Sequence, residues 1–352
     1  MAGNRAGGTG PFHAADTTVT MPPDTRNETH RQSPCQAGMT LIETMVAMAI
    51  SSILIIGSIT IYAQARSSFR TAENIARLQE NLRFAADTLD EDIRLAGFWG
   101  RTHSAAVLLL DPADVIITCA DNDVTQWALG RTGQIAPAVT ASDDIYDLPC
   151  PPGRAARENS DVLVIRHASP NQQTVPTPGR VQVQTTGNGG EFFSDGIRPA
   201  PNGPETHQIY DVVVNAYYVS DSSRYDATLP SLRRRSLVGT TMHDQEIITG
   251  VENLQVQFGI DRDDDGNVDG YFDSGDPAVK KGNIISVRLW MLVRGDADET
   301  GQGYVDTTEY LTPDTDGIVI TPDAGTAYPQ SHRRYEVTKT ILLKNRLRAT
   351  GL

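Results

Sequence analysis

From Thr44 to Ala65 the chain carries no charged side chain. A run of that length, at about 1.5 Å per residue, predicts a helix of roughly 33 Å, enough to cross a bilayer's hydrocarbon core. Just ahead stands Gly38-Met-Thr-Leu-Ile-Glu43, which puts a single acid inside the end of the apolar segment. A carboxylate there costs on the order of 2.5–3.5 kcal/mol on insertion scales, so it needs a partner and a role. After Ala65 the pattern turns amphipathic. Ile75, Leu78, Leu82, Ala85, Leu89 and Ile93 recur at spacings of three and four, and Arg70, Glu73, Arg77, Glu80, Asp87 and Glu91 fall mainly on the other face. Gly97 is a natural stop. The prediction is one helix from about Thr40 to Ala96, about 85 Å long, half apolar and half amphipathic.

Past Gly97 the period becomes two. Leu254, Val256, Phe258 and Ile260 alternate with Asn253, Gln255, Gln257 and Gly259. Ile285, Val287, Leu289, Met291 and Val293 repeat the pattern, and Tyr335, Val337, Ile341 and Leu343 continue it. Asp161–Ile165 and Val212–Val219 are more uniformly apolar and read as buried strands. Clusters of Gly, Pro, Asp and Asn make Thr174–Gly203 and Asp221–Pro230 expected loops. The fold class is α+β: a long N-terminal α-helix packed on a mostly antiparallel β-sheet head.

Composition narrows the partners. The 352 residues carry a net charge of -14, so the chain is a poor direct binder of nucleic acid or anionic lipid. The first 37 residues are rich in Gly, Pro, Thr and Asn with almost no apolar periodicity, as in disordered tails. Arg26, His30 and Arg31 precede the span, and no Lys or Arg follows it until Arg66.

An ordinary secretory signal has its small residues after the apolar run. Here Ala37 and Gly38 come before it. The junction resembles the class III signal of type IV pilins and their relatives. That resemblance implies a dedicated peptidase cutting after Gly38, Met39 as the new and N-methylated N-terminus, and Glu43 as the fifth mature residue. Met39 stands where Phe is commoner. In the family this acid pairs with the N-terminal ammonium of an adjacent subunit. Further along, Arg77-Leu-Gln-Glu-Asn81, Asp92-Ile-Arg-Leu-Ala-Gly-Phe-Trp-Gly100, Ser160-Asp-Val-Leu-Val-Ile-Arg166, Gly250-Val-Glu-Asn-Leu-Gln-Val-Gln-Phe258 and Val287-Arg-Leu-Trp-Met-Leu-Val-Arg294 resemble the PilW family of type IV pilus assembly proteins.

The resemblance implies a leader over 1–38, a long helix over 39–97 with its transmembrane half at about 39–65, and a head over 98–352. It implies a single-pass inner-membrane protein with its head in the periplasm, later at the pilus or cell surface. Its partners would be the prepilin peptidase, other minor and major pilins, the inner-membrane assembly machinery and membrane lipid. The J-type pseudopilin of type II secretion is similar in build and stays open as an alternative. So does a protein of another class, a signal-anchored periplasmic binding module or adhesin.

Processing would remove Cys35 and leave Cys119 and Cys150 in an oxidising compartment, where they are expected to pair. Closing that loop is worth roughly 3–4 kcal/mol in the chain-entropy model. The best candidate for chemistry is Asp261-Arg-Asp-Asp-Asp-Gly-Asn-Val-Asp269. Asp261, Asp263, Asp265, Gly266 and Asp269 fall at positions 1, 3, 5, 6 and 9 of an EF-hand-like calcium loop, with Asn267 between them. Position 12 is Phe272, so Asp273 or Asp276 would have to supply a late carboxylate. The alternative is a solvated acidic hairpin tip. Asp314-Thr-Asp316-Gly317 reads as a turn, and Arg233-Arg-Arg235 as a solvated loop or partner contact. His103, His167, His207, His243 and His332 are scattered and read as structural. No His-Glu-x-x-His, Gly-x-Ser-x-Gly, Cys-x-x-Cys or phosphate loop occurs, and the expectation is an assembly protein, not an enzyme.

Overall fold

The structure, a computed structural model, describes residues 38–345 apart from His103, residues 201–205 and Asp316. The leader up to residue 37, Cys35, His103 and Asp316 therefore lie outside the described residues. Contacts divide the chain into two units, one ending at Ile61 and one beginning at Tyr62.

The first unit contains the start of helix α1, Leu41–Leu95. Its apolar side chains, Leu41, Ile42, Met45, Met48, Ile53 and Ile61 among them, are exposed. Among the described residues no segment covers them, as expected of a surface meant for lipid or other helices.

The second unit holds the rest of α1 and the head. Leu78, Ala85, Ala86, Leu89 and Ile93 of α1 are buried, and Leu82 packs beside them, so the predicted stripe is the face that docks. Outside it, Arg77 and Arg94 bridge to Glu73 and Asp90 one turn earlier. The helix ends where Gly97 takes a left-handed φ of 75° and donates its N–H to Arg166 O. A residue with a Cβ resists that conformation, which is why glycine serves as the stop.

Two sheets form the wall under the helix. The larger is built around the strands β1 (Val139–Ser142), β2 (Val162–Gln173), β3 (Gln182–Thr185), β4 (Gly190–Phe193), β5 (Gln208–Ser220), β6 (Ser231–Val238) and β7 (Thr241–Thr249). β5 is central and pairs antiparallel with β2 along one edge, and with β3 and then β6 along the other. The smaller contains β8 (Val251–Asp261), β9 (Gly270–Asp273), β10 (Asn283–Arg294) and β11 (Arg334–Leu342), in the order β9-β8-β10-β11 and antiparallel throughout. Leu163, Ile165 and Tyr217 from the large sheet and Leu254, Val256, Phe258, Leu289 and Met291 from the small one share one core with α1. At the seam, Asp161 N–H donates to Leu254 O, and Val256 N–H donates to Asp161 Oδ2.

The strand reading needs three corrections. Thr174–Gly203 is not all loop: β3 and β4 lie inside it, with Val183, Phe192 and Phe193 buried. Arg233–Arg235 is neither solvated nor in a loop but part of β6, with Arg233 and Arg235 buried. Their charges are met locally: Arg233 pairs with Asp244 and Glu246 of β7, and Arg235 donates to the carbonyls of Met242 and Pro151. Finally, β8 is buried on both faces. Asn253 and Gln255 donate to Asn159 O and Gln257 donates to Pro313 O, so the amide donors of the polar face are met by distant chain.

A second core lies on the other face of the large sheet, where Trp99, Leu110, Ile117 and Leu129 cover Val162, Val164 and Tyr218. Cys119 and Cys150, both buried there, form the expected disulfide, their Cα atoms 5.6 Å apart.

Candidate functional site

The N-terminal site begins at Gly38. A Cβ added there would meet nothing within 4 Å, so this chain's own packing places no demand for glycine at the position. Thr40 and Glu43 then form a reciprocal cap. Thr40 donates its backbone N–H and its hydroxyl to Glu43 Oε2, both at 2.9 Å, and Glu43 N–H reaches back to Thr40 Oγ1 at 3.4 Å. This is a Thr-x-x-Glu capping box, in which donors orphaned at a helix start are satisfied by side chains three residues apart. The spacing is legible in the sequence, and the reading of Glu43 as a lone acid passes over it. Within one chain, then, the acid is not alone: it caps its own helix.

The acidic loop connects β8 and β9. Its ends are fixed by the pairing of Ile260 with Gly270, and Asp269 N–H donates to Ile260 O. Asp264 and Gly266 turn the chain with φ of 59° and 84°. One carboxylate oxygen from each of Asp261, Asp263 and Asp265 lies within 4.8 Å of the other two. Asp261 is at the base, 2% exposed, while Asp263 and Asp265 are at the rim and exposed. Asp261 Oδ2 accepts from Gly266 N–H at 2.9 Å, and its Oδ1 is enclosed without a partner. Asp265 N–H holds the Asp263 carboxyl down, but the negative charges of Asp265, Asp269 and Asp261 prevail and raise it. Asp265 is lowered by the side-chain and backbone N–H groups of Asn267.

The other proposed ligands are not brought into that trio. Asp269 Oδ2 accepts from Arg262 N–H at 2.7 Å, and Asn267 turns its amide to Asp265. Phe272 packs against the core of the small sheet, with the Arg262 guanidinium 4.6 Å over its ring. Asp273 is held by Gln257 and Thr315, and Asp276 caps the short helix Pro277–Lys281 through Ala278 N–H. Neither late carboxylate turns back to the loop.

Two polar groupings had no signal in the sequence. Asp92 of α1 accepts from Asn215 at 2.5 Å and Tyr217 at 2.6 Å, with His167 at 3.7 Å. Burial raises its carboxyl, but His167, Tyr217 and Asn215 outweigh that and hold it low. Elsewhere, Glu252, Arg294, Arg334 and Asp306 form a buried ionic cluster. Among the described residues His167 donates from Nδ1 to Ala168 O and His332 from Nδ1 to Gly295 O, as structural histidines do. Asp314 and Gly317 close a turn through Gly317 N–H.

Residues 33–59 match the prokaryotic N-terminal methylation motif, and residues 216–345 match the type IV pilus-assembly protein W family, PilW. No curated protein matches the sequence. A type IV-like pilin from Thermus thermophilus aligns with 77% of this chain and 98% of its own, at 10% identity and a TM-score of 0.35. The methylation motif falls across Gly38, Glu43 and the start of α1, and the pilus-assembly match runs from late β5 through β11. Signal, helix and sheet thus make this chain similar to the PilW-like minor pilins of the type IV pilus.

Proposed function

We propose that the protein is a minor pilin cut between Gly38 and Met39 that takes part in pilus assembly or priming with other minor pilins. One observation carries the reading: Glu43 sits in the first turn of a helix whose following apolar residues are exposed, directly after the glycine of the junction. Before assembly the carboxylate is held by Thr40. Cleavage creates a charged amine at Met39, and in lipid a neighbour's amine and Glu43 are both costly alone and stabilised together. Because one subunit's acid meets the next one's amine, the contact is head-to-tail and grows an open filament. The prepilin peptidase, other minor and major pilins, the inner-membrane machinery and lipid are the corresponding partners. The head would face the periplasm and later the cell surface. This is a structural role, served by surfaces and not by a reaction centre.

Mass spectrometry of the membrane-extracted protein tests it. The mature chain should begin at methylated Met39, and Gly38→Val should keep its leader. Glu43→Ala should be cut but recover partner pilins roughly tenfold less well or worse, a loss of about 1.4 kcal/mol or more. Thr40→Val removes the hydroxyl's two bonds of the cap, leaves the backbone N–H bond and keeps the acid, so it should retain partner binding. An uncut wild-type leader, or full partner recovery by Glu43→Ala, would overturn the proposal.

A further inference from the structure

We infer that the hairpin tip between β8 and β9 binds calcium, with Asp261, Asp263 and Asp265 as its carboxylate ligands. The inference goes beyond the assembly reading and does not rest on it. Three acids close together are not a site by themselves, since exposed acidic turns are common. The distinguishing feature is Asp261. Its side chain is almost wholly buried, yet Oδ1 has no donor, while Oδ2 is fixed by Gly266 N–H. A buried carboxylate oxygen without a donor is costly, and native structures pair such atoms with a protein group, water or an ion. One carboxylate oxygen from each of Asp263 and Asp265 stands within 4.8 Å of an Asp261 carboxylate oxygen, and both of these side chains are exposed.

No Lys or Arg among the described residues does the neutralising. Among the described residues, none of the three acids forms an ion pair with a Lys or Arg. Arg262, inside the loop itself, lays its guanidinium over Phe272. A cation from solution is left to balance them.

The donor set selects its kind. All three donors are carboxylate oxygens, with no imidazole or thiolate in the group, which suits a hard divalent ion and not zinc or copper. Calcium accepts six to eight oxygens in irregular geometry, and carbonyls and water can complete the shell at an exposed rim. Magnesium requires a near-octahedral cage and gives up its own waters reluctantly. Because Asp269, Asp273 and Asp276 are engaged elsewhere, the site lacks the bidentate acid of a tight loop. Affinity should therefore fall at about 10⁻⁴–10⁻³ M, the range of extracellular calcium modules.

Calorimetric titration of the full chain in detergent micelles with calcium chloride tests this, alongside thermal melts in calcium or in chelator. Wild type should show one saturable binding event and a higher melting midpoint in millimolar calcium. Magnesium at the same concentration should produce a clearly smaller shift. D263N with D265N should abolish both calcium effects, and its midpoint in chelator should equal or exceed that of wild type, since the substitutions relieve repulsion. That last readout separates loss of binding from loss of folding. No calcium response in folded wild type, an equal response to magnesium, or an undiminished response in the double variant would each overturn the assignment.

Discussion

At the level of single residues, Glu43 has one partner in its own chain and, under the proposed assembly contact, a second whose chemistry differs. Thr40 offers neutral donors within the chain, whereas in the proposed contact a processed neighbour would offer a full positive charge, and charge-assisted bonds are the stronger in a low dielectric. Under that proposal the capping box would keep the acid satisfied until the neighbour's amine replaces it. Asp314 is a contrasting case in the head. Both carboxylate oxygens are enclosed, and burial pushes the group up to about 6, opposed by Thr312 and reinforced by Asp273, Asp144 and Asp143. The folded state therefore keeps its proton where the unfolded chain has lost it, between about pH 4 and 6. With more protons on the native state, stability falls as pH rises through that window and the loss is complete above it. Asp161, pushed by burial to about 8, extends the same trend upward. Asp314→Asn should raise the melting midpoint at pH 8 by about 2–4 °C, about 1 kcal/mol after allowing for partial exposure, and by nothing near pH 4. Equal midpoints at pH 8 would show that the group is solvated.

Among the elements, α1 and β8 carry the head. The helix was legible because its signal is local: apolar residues at spacings of three and four can only serve one face. Leu89 is fully buried at the centre of that face, among Leu163, Val256 and Met291. Leu89→Ala should destabilise the protein by about 2–5 kcal/mol through lost transfer and the cavity left behind. Urea melts of the detergent-solubilised chain should show it as a lower midpoint, with Phe84→Ala, on the exposed side, close to wild type. β8 was only half legible. Its apolar face announces a strand, but Asn253 and Gln257 have the composition of a wet face. Their partners, Asn159 and Pro313, lie 94 and 56 residues away, and no local pattern encodes a contact at that separation. The Arg233–Arg235 run misleads for the same reason: a triple charge reads as solvated until Asp244 and Glu246 are placed across from it by strand pairing.

Across the whole molecule, the buried ionic cluster holds the segment after β10 against the small sheet. Glu252 accepts from Arg334 Nε at 2.6 Å and lies 3.4 Å from Arg294, and Arg334 continues to Asp306 at 3.0 Å. Trp290, Leu292, Tyr310 and Ile320 pack beside it, so the outer face of β10 is covered by chain that has almost no regular structure. Glu252→Gln keeps the shape but leaves two buried guanidiniums facing one remaining carboxylate. Removing one member of such a set costs about 3–5 kcal/mol. The expected result is a lower urea midpoint together with earlier proteolysis between residues 296 and 330. A change below 1 kcal/mol would mean that water, and not Glu252, satisfies the arginines.

What the amino-acid order determined alone is whatever depends on neighbours a few residues away. That covers the membrane-length apolar run, the amphipathic continuation to Gly97, the strands β2, β5, β8 and β10, and the acidic loop with its glycine turn. The capping box of Thr40 and Glu43 belongs with these, since both partners lie within one turn. Tertiary structure decided the rest. It buried both faces of β8, assembled the Glu252 cluster, and chose three of the loop's oxygen-bearing residues to converge while turning Asn267 and Asp269 to side-chain and backbone partners. The physical reason is the same in each case: a polar group's environment is set by what the folded chain brings against it, and burial changes the cost of a charge more than any local pattern can record.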